Sequence, residues 1–570
     1  MGVGPLMSNP PVPRQQTLSI AGAIQQGLRC YRQGRLEEAE RLYQAVLKAR
    51  PQHFDALHLL GMLCTRQGRF EAAVKLISRA LERQPRSAAA RHSLGIALSN
   101  LGRHEEALAS YDEALAIEAG HVEAHYNRGA ALAALNRHEE ALGSYASVLA
   151  LKPGHASAHY NLGNALQALN RHEEAVASYD RALAVRPGHG NALYNRGKAL
   201  RALGRHEEAI ASYNRVLAVR PDDVPALYSR GVALQALKRH EEAMASYGLV
   251  NEIRPDFAPA QLNDGICRLL TGDFERGWEK YEWRWKVEND LHTPRRDFGR
   301  AVWLGGEDIA GRTILLHAEQ GLGDTIQFCR YVRLLAGKGA GRVILEVQRP
   351  LKTLISGIAG ADQVLGAGEP LRDFDVHTPL LSLPLAFRTR METIPAGIPY
   401  LSARADLAQK WRARLGQHDK PRVGIVWSGR PENTNDRNRS IALHRFLPLM
   451  KSGVRLVSLQ KEVRAEDRAV LAHHGEILHF GADLTDFSET AALVSLLDRV
   501  IAVDTAVAHL AGALGKPVWI LLPFAAHWLW LLDREDSPWY PTARLFRQPG
   551  IGDWDSVMQR VAGELARVGR

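Results

Sequence analysis

Cysteine is scarce: four residues in 570, Cys30, Cys64, Cys267 and Cys329, with no CxxC spacing among them. That excludes a disulfide framework, gives no zinc signature and fits a reducing compartment. Long apolar runs are also missing. The stretch 517–532 is short for a membrane span and is broken by Pro523 and His527, so it reads as buried strand, turn and helix. The N-terminus lacks a basic patch followed by an apolar segment, and Leu6 stands where a myristoylation signal needs Ser or Thr. The expectation is a cytoplasmic protein without a membrane span. Charge of one sign is not concentrated either. Lys plus Arg is 72 against 62 Asp plus Glu, and the net +10 is spread along the chain, which does not argue for nucleic acid. At 46% apolar and 24% charged residues the chain is neither disordered nor collagen-like. Its length suggests about three or four domains.

What is present is a repeat. In windows of 34 from Leu18 the same pattern returns eight times, to about Asn289. Glycine holds one column from Gly27 to Gly265, alanine a second from Ala39 to Ala243, and tyrosine a third from Tyr43 to Tyr281, with Ile77 the exception. Proline closes most windows, as at Pro51, Pro153 and Pro255. Two helices that cross closely need small residues at the contact, a ring can fill the space between neighbouring pairs, and proline ends the second helix. Period and column chemistry resemble the tetratricopeptide repeat, whose superhelix carries an inner groove for extended peptides. Residues 1–17 precede the pattern and are expected to be disordered.

Two histidine and asparagine ladders stand out. His104, His138, His172, His206 and His240 recur in RHEEA segments. Neighbouring repeats lie about 10 Å apart, whereas zinc ligands lie about 2.1 Å from their metal. These residues therefore read as the polar start of helix B, and no metal is expected. Asn127, Asn161, Asn195 and Asn263 lie two residues before the repeat glycine. A side-chain amide has a donor and an acceptor and can grip a peptide backbone. The alternative is that Asn is simply common at this column. The ladder resembles the inner groove of the protein O-GlcNAc transferases. In the last window Trp278, Trp283 and Trp285 crowd together, which suggests docking against the next domain.

From about residue 290 the period vanishes, and short apolar runs alternate with helical patterns, which argues for parallel α/β sheets. Expected strands are 312–317, 342–347 and 374–377, then, after a linking helix over 403–417, 422–427, 455–459, 500–503 and 517–522. Two doubly wound domains, 290–405 and 406–570, would face a cleft with ligands at the carboxyl ends of the strands. Three segments carry the chemistry. HAEQGLGDTIQFCRY holds Gly321, Gly323, Asp324 and Thr325 after a strand; the glycines let the backbone approach a ligand, and Asp324 is either a general base or a helix cap. VGIVWSGRPENTNDRNRSIAL offers Ser428, Gly429, Arg430, Arg437 and Arg439, small residues and cations suited to a diphosphate. VIAVDTAVAHLAGALGKPVW ends a strand at Asp504, with Thr505 as a helix cap and His509 about one turn on. In the tail, Trp528, Trp530, Trp539 and Tyr540 read as core packing.

In order and spacing these segments resemble the ADP-heptose:lipopolysaccharide heptosyltransferase family over about residues 312–525. The resemblance implies a GT-B fold of two Rossmann-like domains and metal-independent, inverting glycosyl transfer. It implies Asp324 as the general base, with Ser428 and Arg439 on the phosphates, an Arg standing where Lys is usual. It also implies Asp504, Thr505 and His509 at the donor. The likeness does not reach the repeats, so heptose and lipopolysaccharide are not carried over. Repeats followed by such a pair look like the O-GlcNAc transferases in architecture, without that family's clear catalytic motifs. The expectation is a transferase using a nucleotide-sugar co-substrate and no cofactor, with a peptide or protein acceptor in the repeat groove. The alternative is a repeat scaffold with a vestigial transferase half.

Overall fold

The computed structural model describes residues 19–287, 295–417, 419–431 and 436–568. The stretch expected to be disordered, 1–17, lies outside the described residues. The chain forms two compact units, Met1–Pro221 and Asp222–Arg570. The division falls between the sixth and seventh windows, not at the end of the eighth.

The first unit is a helical solenoid of hairpins, from Ile20–Arg32 with Leu36–Ala49 to Gly190–Ala202 with His206–Leu217. Each column has a visible job. A Cβ on Gly163 would lie 2.5 Å from Tyr179 Cε1, so the tyrosine ring packs on the glycine of its own repeat. Helix A is often capped by histidine: His121 Nδ1 accepts from Ala124 N–H at 3.2 Å, and His155 and His189 do the same. Helix B begins at the RHEEA histidine, and its preceding arginine pairs with the second glutamate, as Arg171 does with Glu174 at 2.6 Å.

The second unit opens with two more hairpins, Val224–Ala236 with His240–Ile253 and Ala258–Thr271 with Phe274–Tyr281. Two parallel sheets follow. The first contains β1 (Ala301–Val302), β2 (Thr313–His317), β3 (Arg342–Val347), β4 (Gln363–Gly366) and β5 (Val376–Pro379) in the order β1-β5-β2-β3-β4. The second contains β6 (Arg422–Val426), β7 (Arg455–Ser458), β8 (Leu478–His479), β9 (Arg499–Val503), β10 (Val518–Leu522) and β11 (Ala543–Arg547) in the order β11-β10-β9-β6-β7-β8. Central strands read as apolar runs because both faces are covered; β10, VWILL, is buried throughout. Strand order reverses between β2 and β5 in one sheet and between β6 and β9 in the other. Crevices for ligands open at such points.

One apolar core joins the eighth repeat to both lobes. Trp278 sets its ring edge-on to Trp528 at 5.3 Å and donates from Nε1 to the Thr389 carbonyl at 2.9 Å. Trp528, Trp530, Trp539 and Tyr540 are all buried. Helix Ala405–Leu415 is tied to the second lobe, where Trp411 Nε1 donates to Glu489 at 2.6 Å.

Candidate functional site

The two reversal points face one cavity of about 2280 Å³, walled by both lobes and the last two repeats. That exceeds the ~300–1,000 Å³ of a usual small-molecule pocket.

On the first lobe, β2 runs into a loop and then helix Leu322–Phe328. Asp324 is the third residue of that helix. Its Oδ2 accepts from the Gly321 N–H at 3.0 Å, so the carboxylate is both a cap and a group on the cavity wall. Burial raises its pKa above the ordinary carboxylate value; the Asp504 charge pushes the same way, while His527 and the Gly321 N–H oppose. Asp324 and Asp504 both line the cavity, one from each lobe. Behind them Arg284, buried, donates to Glu319 at 3.0 Å and to Ser382 Oγ at 2.7 Å, fixing the base of the loop.

On the second lobe, Ser428 and Gly429 follow β6, and Asp504 and Thr505 follow β9. Ser428 is buried with its Oγ unpartnered, and its backbone is held by the Gln460 amide at 3.3 and 3.1 Å. Arg439 donates from Nη1 to the Asp504 carbonyl at 3.0 Å. Arg464, at the end of the loop after β7, pairs with Asp436 and reaches the Ser440 hydroxyl at 3.2 Å. Both arginines keep a buried Nε without a hydrogen-bond partner. Two guanidiniums thus meet one carboxylate, Asp436, beside the N-terminus of helix Ala506–Ala513. Such a place suits an anion. Thr505, expected to cap that helix, makes no side-chain cap bond; its hydroxyl donates back to the Val503 carbonyl at 3.2 Å.

Two expected residues, Thr325 and Arg437, lie off the cavity, and others have further partners. Thr325 is buried inside its helix, with Oγ1 3.4 Å from the Gly321 carbonyl, and does not line the cavity. Arg437 is exposed and does not line it; on one helical turn residues 437 and 439 fall on different sides. Arg464 takes the inner position instead. His509, expected at the donor, lines the cavity and is also a joint between the lobes. Its Nδ1 lies 3.2 Å from Gln327 Oε1 and 3.0 Å from the Tyr540 hydroxyl, its ring stacks on Trp530 at 5.3 Å, and Nε2 is 3.8 Å from Asp504. Burial pushes its pKa down to about 4, with Asp504 opposing, so the imidazole is neutral. Gly323 serves the same joint: a Cβ there would lie 2.9 Å from His509 Cδ2 and 3.4 Å from Ala506 Cα. In the repeats the Asn amides reach the preceding window: Asn127 to His92 at 2.9 Å, Asn161 to Tyr126 at 3.0 Å, Asn195 to Tyr160 at 3.3 Å and Asn263 to Tyr228 at 3.2 Å. The ladder thereby ties repeats together. Gln460, Lys461, Arg464 and His527 also line the cavity and were not foreseen. Gln460 and Lys461 follow an expected strand directly, which was their available signal.

The chain carries a repeat solenoid and a two-lobed α/β cleft with the Asp324 carboxylate on one wall and the Arg439 and Arg464 guanidiniums on the other. Comparison with known proteins gives each half a relative. Tetratricopeptide repeat models match residues 24–90, 65–121, 92–156, 160–223 and 198–256, and the model of glycosyltransferase family 9 (heptosyltransferase) matches residues 448–521. That second match takes in β7, β8, β9 and most of β10. Protein FlbA of Caulobacter vibrioides is 28% identical over 323 residues, 52% of this chain and 53% of that protein. The chain thus spans about half the length of this curated relative. Among solved structures, the tetratricopeptide repeat protein YrrB is 24% identical over 32% of this chain and 95% of its own, with a TM-score of 0.31. A tetratricopeptide repeat protein from Parabacteroides merdae is 18% identical over 44% and 98%, with a TM-score of 0.33. Models of tetratricopeptide repeats and of glycosyltransferase family 9 thus match successive parts of the chain, and among the described residues no helix is long and apolar enough to cross a membrane.

Proposed function

We propose that the chain is a glycosyltransferase of the GT-B type, moving a sugar from a nucleotide-sugar to a peptide or protein offered by the repeats, with inversion and without need of a metal. The observation that carries this reading is that Asp324 and Asp504, which follow β2 and β9, line one cavity from its two lobes. The Asp324 carboxylate accepts the proton of the acceptor hydroxyl. The freed oxygen attacks the anomeric carbon as its bond to the diphosphate breaks, so the sugar inverts and the diphosphate leaves with the electron pair. Arg439, Arg464 and the N–H groups beyond Thr505 face the charge that develops there. Asp504 accepts from sugar or ribose hydroxyls. His509 and Gly323 hold the walls at working distance.

Incubation with labelled nucleotide-sugars and cell extract tests this. Label should pass to protein with the wild-type chain and not with Asp324→Asn. Undiminished transfer by that variant removes the base, and no transfer from any donor leaves a repeat scaffold.

A further inference from the structure

The seventh repeat breaks a rule that the other seven keep. The turn between helices A and B needs a left-handed residue, and the windows supply Gly34, Gly68, Gly102, Asn136, Asn170, Gly204 and Gly272, with φ between 57° and 88°. The seventh supplies Lys238 at φ 61°. A long side chain is disfavoured there, so the reason for the lysine lies outside the turn.

Its ammonium sits 4.1 Å from the centre of the Phe524 ring, just past β10, and lines the cavity. Arg547, the last residue of β11, lines the same end. Its guanidinium is held by the carbonyls of Arg534 at 3.1 Å and Trp530 at 2.5 Å. Among the described residues neither cation forms an ion pair, and Asp533 is the carboxylate whose field reaches both. Burial lowers the Lys238 pKa and Arg547 lowers it further; burial also brings Arg547 down to about 10. Two residues beyond Lys238, His240 is 5% exposed, lines the cavity, and has no partner for either ring nitrogen. An unpartnered buried ring beside two underpaired cations is a site short of an acceptor. The adjoining wall is apolar, with Val232, Ala236, Leu262 and Ile266 from helix A of repeats seven and eight.

We propose that Lys238, His240 and Arg547 form an anion subsite at the repeat end of the cavity, which takes an acidic side chain of a peptide lying along repeats seven and eight. This deepens, and rests on, the reading of the chain as a transferase with a peptide acceptor. The shared chemistry is an oxyanion, from an Asp or Glu carboxylate or from a phosphorylated serine.

The test uses the full chain and short-peptide libraries whose central position is fixed as Glu, phosphoserine or Gln. The wild type should enrich an anionic pool about tenfold over the Gln pool. Lys238→Gly restores the residue that other repeats use, so the turn survives; it should erase most of that preference while nucleoside diphosphate binding stays unchanged. Arg547→Gln should act in the same direction. Enrichment of phosphoserine over Glu names phosphate as the ligand, and the reverse names carboxylate. No anionic preference in the wild type, or a preference undiminished in Lys238→Gly, overturns the subsite. Acidic preference without nucleotide binding removes the donor reading and leaves the subsite standing.

Discussion

A glycine in the solenoid and a glycine in the paired sheets solve the same steric problem to different ends. Gly163 lets a helix lie against Tyr179, and the same contact recurs in most windows of the array. Gly323 lets one lobe's helix lie against His509 of the other, and that contact is made once. A repeated contact is a source of stability with many copies. A single contact between two walls sets the width of a site, so damage there should fall on chemistry before it falls on folding.

The largest effect expected from breaking this contrast is at the cleft. Asp324→Asn should lower transfer by ~10²–10⁴-fold, the usual worth of a general base. The folded protein binds the Asp324 proton more tightly than the unfolded chain, so its stabilising share is present at low pH and is lost as pH rises. The Asn variant should therefore keep its melting temperature at neutral pH, as calorimetry will read. For the same reason the acid limb of the wild-type rate should lie above the ordinary carboxylate value of 3.8.

Next come the two glycines. Gly163→Ala sets a methyl 2.5 Å from Tyr179 and should cost about 1–3 kcal/mol in denaturant unfolding of the repeats, with transfer chemistry spared. Gly323→Ala meets His509 and should lower transfer more than it lowers stability. Gly154→Ala, with nothing within 4 Å, is the neutral control.

The third effect is a pH slope. His509 titrates at about 4 in the folded state against 6.5 unperturbed. Its contribution to stability is thus present above pH 6.5 and is lost as the pH falls towards 4. His509→Gln should flatten the fall in melting temperature across that window, and an unchanged slope would show that the joint does not depend on a neutral imidazole. The smallest effect is on the solenoid surface: Glu174→Gln removes the exposed partner of Arg171 and should leave the melting temperature within error.

The same contrast explains what could be read in advance. The repeat columns were legible because each residue's job is local: Gly163 and Tyr179 are sixteen residues apart in one hairpin. The buried strands were legible as β-branched runs, β3 at its full length. The edge strands β1, β4, β8 and β11 were not, being two to five residues long and partly polar or exposed. Asp324, Ser428 and Asp504 could be singled out because each follows a buried strand. Arg464 could not, because its place beside Arg439 depends on β7 pairing with β6, and His509 meets Gln327 across 182 positions of sequence. Lys238 was not singled out in the sequence; its positive φ and the Phe524 contact gave it a meaning.

The central claim is that the second lobe grips a diphosphate between the ends of β6 and β9. Calorimetric titration of the full chain with ADP, UDP and GDP tests it most directly. At least one should bind, and Arg464→Gln should weaken that binding by roughly 10–100-fold, the worth of a charge-assisted contact. Binding of none of them, or equal binding by wild type and Arg464→Gln, would contradict it.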